Sequence, residues 1–302
     1  MNLPKFVEIN EVCPRDGLQS LEMTLPAETK IKLLNKLIEC GFKKIEAVSF
    51  VSPKYVPQMA DAKEVLTEIH KNAIDSGVNL TALVPNLKGA AMANSCGVTE
   101  IHFVISVTEK HNIANTNQKI EDSLMQLQNI RVEFPNLFLV VSIASSFGCT
   151  FQGVVKPNSV INLVKKVLNM GANKIVLADT TGTANPVQVA QLLKLYEESI
   201  PGKPPSLHFH NTWGMGLANV LTALQLGYTE FDSSIGGLGG CPFAPGATGN
   251  IATEDLNNML INMGINTSVN QEKLLSTLAF IKNNIISSLT SHMSNTDICL
   301  QR

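Results

Sequence analysis

Short apolar, β-rich runs alternate along the chain with stretches whose apolar residues recur every three or four positions. The alternation repeats eight times, at a period of roughly 30 residues, the length of one strand-plus-helix unit. The strand-like runs are FVEINEV, KKIEAVSF, LTALVP, EIHFVISV, LFLVVSIAS, KIVLAD, SLHFHN and EFDSSI. In the first helical stretch, PAETKIKLLNKLIECG, Ile31, Leu34, Leu37 and Ile38 share one helical face, Pro26 suits the first turn and Gly41 suits the C-cap. In the last, Leu256, Met259, Leu260 and Met263 repeat the spacing before Gly264.

Eight such alternations without a hydrophobic break predict an α/β fold of the closed (β/α)8 TIM-barrel type, as one catalytic domain over residues 1–302. The tail NQEKLLSTLAFIKNNIISSL predicts one or two additional C-terminal helices packed on the barrel, an extension beginning at about residue 265.

Composition narrows the partners. A hydrophobic content of 44% with 16% charged residues supports a large core, and a net charge of -2 provides no footprint for nucleic acid. No apolar run reaches membrane-spanning length, and the start MNLPKFVEIN shows neither a signal-peptide nor a presequence pattern, so a cytoplasmic location and small-molecule partners are expected. The six cysteines lack CxxC spacing, so neither a zinc ribbon nor a disulfide framework is expected.

Barrel enzymes place their chemistry at the C-terminal ends of the strands. There the first strand carries Glu11, Arg15 and Asp16 into the turn EVCPRDGLQ, either as a loop brace or as part of a site. Glu46 lies inside the second strand, where a carboxylate must be paired or serve a site. His208 and His210, two apart on an extended strand, point the same way. Asp179 ends the sixth strand as a site residue or as a cap for the next helix, a cap that Thr183 or Asn185 could supply instead, and Asn250 is a helix cap or a source of a carbonyl oxygen. Asp16, His208, His210 and Asn250 together would form a mixed oxygen and nitrogen set suited to a divalent ion with exchangeable positions. Cys241 stands in the middle of the glycine- and proline-rich stretch IGGLGGCPFAPGATGN, which suits neither a helix nor a strand interior.

PRDGLQ, SFVSPKYVPQM, VPNLKG, HFH and GGLGGCPFAPGATGNIATED, in this order over residues from about 7 to 265, resemble the signatures of the 3-hydroxy-3-methylglutaryl-CoA lyase family. The resemblance implies a TIM barrel that cleaves this thioester to acetyl-CoA and acetoacetate with Mg2+ or Mn2+, chemistry of leucine degradation and ketone-body formation. It implies metal ligands at Asp16, His208, His210 and Asn250, and catalytic parts for Arg15, Cys241, Glu46 and Asp179. Arg15 and Glu11 are the implied substrate-binding residues. The implied partner is an acyl-CoA small molecule, with a homodimer as a compatible assembly. Cys241 would protonate the departing enolate from a loop that closes over the substrate.

Two positions depart from the family pattern. Asn211 follows the histidine pair where an aspartate is usual, with an expected place around the metal rather than on it. GCTFQG at 148–153 replaces a more usual GCP-containing run and bears on substrate fit. A lyase for a longer 3-hydroxy-3-alkylglutaryl-CoA is the nearest alternative. A Claisen condensing synthase of the isopropylmalate or homocitrate type would carry a further C-terminal region. A barrel that has kept the fold as a binding protein would show no turnover of the thioester.

Overall fold

In the computed structural model, which describes residues 3–240 and 249–295, eight parallel strands close into a barrel in sequence order. They are β1 (Glu8–Glu11), β2 (Lys44–Ser49), β3 (Asn79–Leu83), β4 (Glu100–Ser106), β5 (Phe138–Ala144), β6 (Lys174–Asp179), β7 (Ser206–Phe209) and β8 (Glu230–Ser233). Each lies within the apolar run that predicts it, except that β3 begins one residue earlier, at Asn79. The barrel closes where β1 pairs with β8, with Ile9 opposite Phe231 and Asn10 opposite Asp232.

Strand side chains alternate between the barrel axis and the surrounding helices. Outward positions such as Ile9, Ile45, Ile101, Leu177, Leu207 and Phe231 are buried against the helical layer and form the main core. The helix Ala27–Glu39 contributes Leu33, Leu34, Leu37 and Ile38 to it. That helix stops at Gly41, whose φ of +93° is left-handed and where an added Cβ would stand 2.5 Å from the carbonyl oxygen of Ser268. Glycine therefore ends the helix and admits the C-terminal segment against it.

The axis is polar. At the N-terminal end of the barrel Lys44 pairs with Glu100 at 2.9 Å and approaches Glu230 at 3.8 Å, and Lys174 pairs with Glu230. Mutual pairing is what allows these charges inside a barrel. The tail forms one helix, Gln271–Asn284, and then returns along the barrel to a short 3-10 turn at Met293–Asn295.

Candidate active site

At the C-terminal end of β1 the chain makes a tight turn, Cys13–Gly17, in which Val12 O accepts from the amides of Arg15 at 3.2 Å and Asp16 at 2.7 Å. The turn aims both side chains across the barrel mouth. Arg15 Nε donates to Glu46 Oε2 at 2.7 Å, Nη2 lies 2.6 Å from the same oxygen, and Nη1 donates to Asp16 Oδ1 at 2.6 Å. These contacts use only part of the guanidinium's donor set, so donors are left for a ligand. Behind Glu46, His102 Nδ1 stands 3.6 Å from Oε1, and its Nε2 stands 3.4 Å from Glu100 Oε1. A line of polar contacts thus runs from Arg15 through Glu46, His102 and Glu100 down the axis to Lys44.

His208 and His210 face the same space, with ring centroids 5.1 Å apart. Asp16, His208 and His210 each offer a ligand atom within 4.8 Å of the others. His208 Nδ1 meets Asp232 Oδ2 at 3.2 Å, since these residues are register partners on β7 and β8. Asn250, bridged to His210, donates through Nδ2 to Asp16 Oδ2 at 2.7 Å and to Leu238 O at 2.9 Å. Its Oδ1 is buried without a hydrogen-bond partner, as is Nδ1 of His210. Buried polar atoms without partners are costly, and a cation beside the amide oxygen would satisfy it. One carboxylate, two imidazoles and an amide oxygen therefore fit a divalent ion.

The electrostatics agree. Burial opposes ionisation of Asp16, but Arg15 and the two histidines overcome it and lower its pKa to about 2. Burial, followed by the charge of His208, lowers His210 to about 4. At neutral pH Asp16 is thus ionised and His210 neutral, the forms that ligate metals. Burial also acts to lower His208, yet the hydrogen bond and charge of Asp232 raise it above its ordinary value, so a metal there competes with a proton.

Other expected site residues sit elsewhere. Glu11 shares the outward face of β1 with Ile9, whereas the Asn10 amide points inward to Asp232 at 3.0 Å. The Glu11 carboxylate is fully buried and accepts from Cys13 N at 2.8 Å, Ile235 N at 3.1 Å and Thr253 Oγ1 at 2.8 Å. It braces loops and does not face the site, contrary to the expected contact with substrate. Asp179, outward-facing beside Leu177, accepts from the amides of Gly182 at 3.1 Å and Ala184 at 3.0 Å. That is loop bracing too, and the cap of the next helix, Pro186–Ser199, comes from Asn185.

Asn211 also departs from expectation. Its side chain turns from the histidine face, and Oδ1 accepts from Gly216 N at 2.9 Å at the start of the helix Gly216–Gln225. Cys241 lies outside the described residues. Among the buried titratable residues that sequence reasoning missed are His102, Asp232 and Glu254. The first two carry the signal that singled out Glu46, a titratable group inside a barrel strand. Glu254, which takes the amide of Gly236 at 3.0 Å, follows the glycine-rich stretch with no such marker.

Residues 6–281 match the family model described as HMGL-like. The chain is 42% identical over 284 residues to a hydroxymethylglutaryl-CoA lyase of Bacillus subtilis, covering 93% of this chain and 94% of that one. It is 41% identical over 285 residues to the mitochondrial hydroxymethylglutaryl-CoA lyase of Arabidopsis thaliana, covering 94% of this chain but spanning only 60% of the plant protein's length. Among solved structures, an HMG-CoA lyase from Acinetobacter baumannii in complex with coenzyme A and 3-methylmalate superposes with a TM-score of 0.91 at 39% identity, over 99% of this chain and 98% of that one. With the closed barrel and the cluster at its mouth, these matches establish that the chain belongs to the HMGL-like family.

Proposed function

We propose that the protein is a metal-dependent carbon-carbon lyase that cleaves 3-hydroxy-3-methylglutaryl-CoA to acetyl-CoA and acetoacetate. One observation carries the reading: a carboxylate, two imidazoles and an unpartnered amide oxygen stand beside a partly buried arginine at the barrel mouth. Relatives named as lyases of this thioester, one of them bound to coenzyme A, support the substrate class.

Asp16, His208, His210 and Asn250 would hold the ion. Magnesium or manganese there would lower the pKa of a coordinated hydroxyl. In the reaction the tertiary hydroxyl of the substrate gives up its proton and the bond between carbons 2 and 3 breaks. The bonding pair leaves with the acetyl-CoA unit as an enolate, which is then protonated at carbon 2. Arg15 stabilises the negative charge on the thioester oxygen. Glu46 and Asp16 already hold the guanidinium, so little reorganisation is needed as charge develops. Cys241 supplies the proton to the enolate in this reading. Glu11 and Asp179 act by fixing the loops that carry the site.

The deciding experiment is an assay of purified protein, reconstituted with Mg2+ or Mn2+, against a series of 3-hydroxy-3-alkylglutaryl-CoA esters. Fastest release of acetyl-CoA is expected from the 3-methyl thioester, with acetoacetate as its other product, abolished by chelation and restored by metal. Faster turnover of a longer ester would reassign the substrate, and no turnover of any ester would overturn the lyase reading. A cytoplasmic location belongs to the same proposal. Among the described residues no helix is long and apolar enough to cross a membrane, and cell fractionation tests the location.

A further inference from the structure

The glycine-rich stretch begins with a short neck, residues 235–240, whose backbone reaches the proposed metal set. Gly236, Gly237 and Gly239 have φ values of 75°, 66° and 124°, all left-handed. Beyond one 3-10 turn at Ile235–Gly237, closed by Gly237 N on Ser234 O at 2.9 Å, such a backbone makes no regular ladder, so its other polar groups need partners from elsewhere. On the barrel side, Ile235 N donates to Glu11 and Gly236 N to Glu254. At its far end Leu238 O accepts from Asn250 Nδ2, the same nitrogen that donates to Asp16. The neck also packs closely on the residue before Asn250: an added Cβ at Gly249 would stand 2.4 Å from Gly237 O.

Two of the neck's carbonyls, those of Gly236 and Gly237, are taken by the C-terminal tail. Thr290 N donates to Gly236 O at 3.2 Å, and Thr290 Oγ1 donates to Gly237 O at 3.1 Å. The approach is close enough that a Cβ at Gly237 would stand 2.3 Å from that hydroxyl. The tail is itself fastened on both sides of Thr290. Leu289 is buried, and Asp255 accepts from the amides of His292 at 2.8 Å and Met293 at 2.9 Å and from Ser291 Oγ at 3.3 Å. Packing the last helix on the barrel does not require the chain to return and bond two glycine carbonyls beside the site.

We propose that residues 289–293 form a clasp that holds the neck in register, and that Thr290 is a positioning residue acting on the proposed metal ligand Asn250 through Gly237 and Leu238. The inference rests on the reading of Asn250 as a ligand. With the clasp engaged, Leu238 O fixes the Asn250 amide so that Nδ2 is committed to Leu238 and Asp16 and Oδ1 faces the ion. With the Thr290 hydroxyl removed, the neck keeps its barrel-side bonds and the Thr290 N bond to Gly236 O but loses its anchor at Gly237 O, and the amide is less well oriented.

The test uses the full chain with Thr290→Val, which removes the hydroxyl at nearly constant shape, and Thr290→Ser, which keeps it. Calorimetric titration with Mn2+ is expected to show affinity weakened by roughly 3- to 10-fold in Thr290→Val, the size one hydrogen bond gives, and near wild type in Thr290→Ser. Hydrogen exchange of the metal-free proteins is expected to be faster at the Ile235 and Gly236 amides in the valine variant only. Wild-type affinity and exchange in Thr290→Val would overturn the clasp, and so would an equal loss in both variants, which would show that the side chain's shape rather than its hydroxyl bond sets the effect. If the wild-type protein takes up no Mn2+, the metal reading of the site fails. The exchange data then decide the clasp alone, supporting it if the valine variant opens faster and overturning it if not.

Discussion

Asp232 sits directly beside His208 in the barrel register and takes its Nδ1 at 3.2 Å, which leaves Nε2 as the nitrogen free to meet a metal. Asn10 holds the other oxygen of Asp232 at 3.0 Å, so the carboxylate itself is fixed. Partners of this kind set the tautomer and ring orientation of a ligating histidine, and their loss typically costs about 10- to 100-fold in metal affinity or activity. Asp232→Asn is expected to weaken Mn2+ binding within that range while the protein stays folded. Calorimetry beside circular dichroism checks it, and unchanged affinity would mean that packing alone orients His208.

Arg15 joins two buried carboxylates, so its removal acts on fold and chemistry together. Arg15→Met is expected to lower kcat by about 10²- to 10³-fold, because it withdraws charge stabilisation from the enolate. Stability should fall as well, since Glu46 and Asp16 are left buried without their cation. Arg15→Lys should recover part of the stability but little of the rate, as an ammonium cannot reproduce the planar fork. Single-turnover rates on the folded fraction, read beside melting curves, separate the two effects.

Burial pushes the Glu11 carboxyl up to about 8, only partly offset by the donors from Cys13, Thr253 and Ile235. Glu254 is likewise raised to about 7, again mainly by burial. The folded protein holds these protons more tightly than the unfolded chain, so stability falls as pH rises from the ordinary carboxylate range towards these values. Melting temperatures are expected to decline between about pH 5 and 8.5, and less steeply in Glu11→Gln, which cannot ionise. Parallel curves for the two proteins would remove Glu11 as a source of the slope.

Asn211 holds the amide of Gly216 at a helix start rather than any group of the metal set. An aspartate there would place its charge near the positive end of the helix dipole, a gain of about 0.3–1 kcal/mol. Asn211→Asp is therefore expected to raise thermal stability slightly and to leave Mn2+ affinity within about twofold, since no ligand depends on the residue. A tenfold tighter ion in the aspartate variant would restore the place around the metal that the sequence alone suggests.

The eight strands, the first and last barrel helices and the face shared by His208 and His210 were all legible in the sequence. Each depends on local periodicity: two for a strand, about 3.6 for a helix. The same rule, applied with knowledge of which parity faces the axis, would have separated Glu46 from Glu11 and Asp179. Strand parity alone does not say which face is inward until the neighbouring strands are in place. Asn10 pointing at Asp232 settles that for β1. His102 was legible in principle as a titratable group inside a strand, but its meaning comes from lying between Glu46 and Glu100.

By itself the sequence determined the order of strands and helices, the positions at which polar residues interrupt apolar runs, and the motifs that mark the family. Only the tertiary structure decided which of those residues meet. Closing the barrel brings Asp232 to His208, Asn250 to Asp16 and Thr290 to Gly237, pairs separated by 24, 234 and 53 positions along the chain. No local pattern encodes such pairs, because they follow from register and chain return, which are set when the whole core is buried at once.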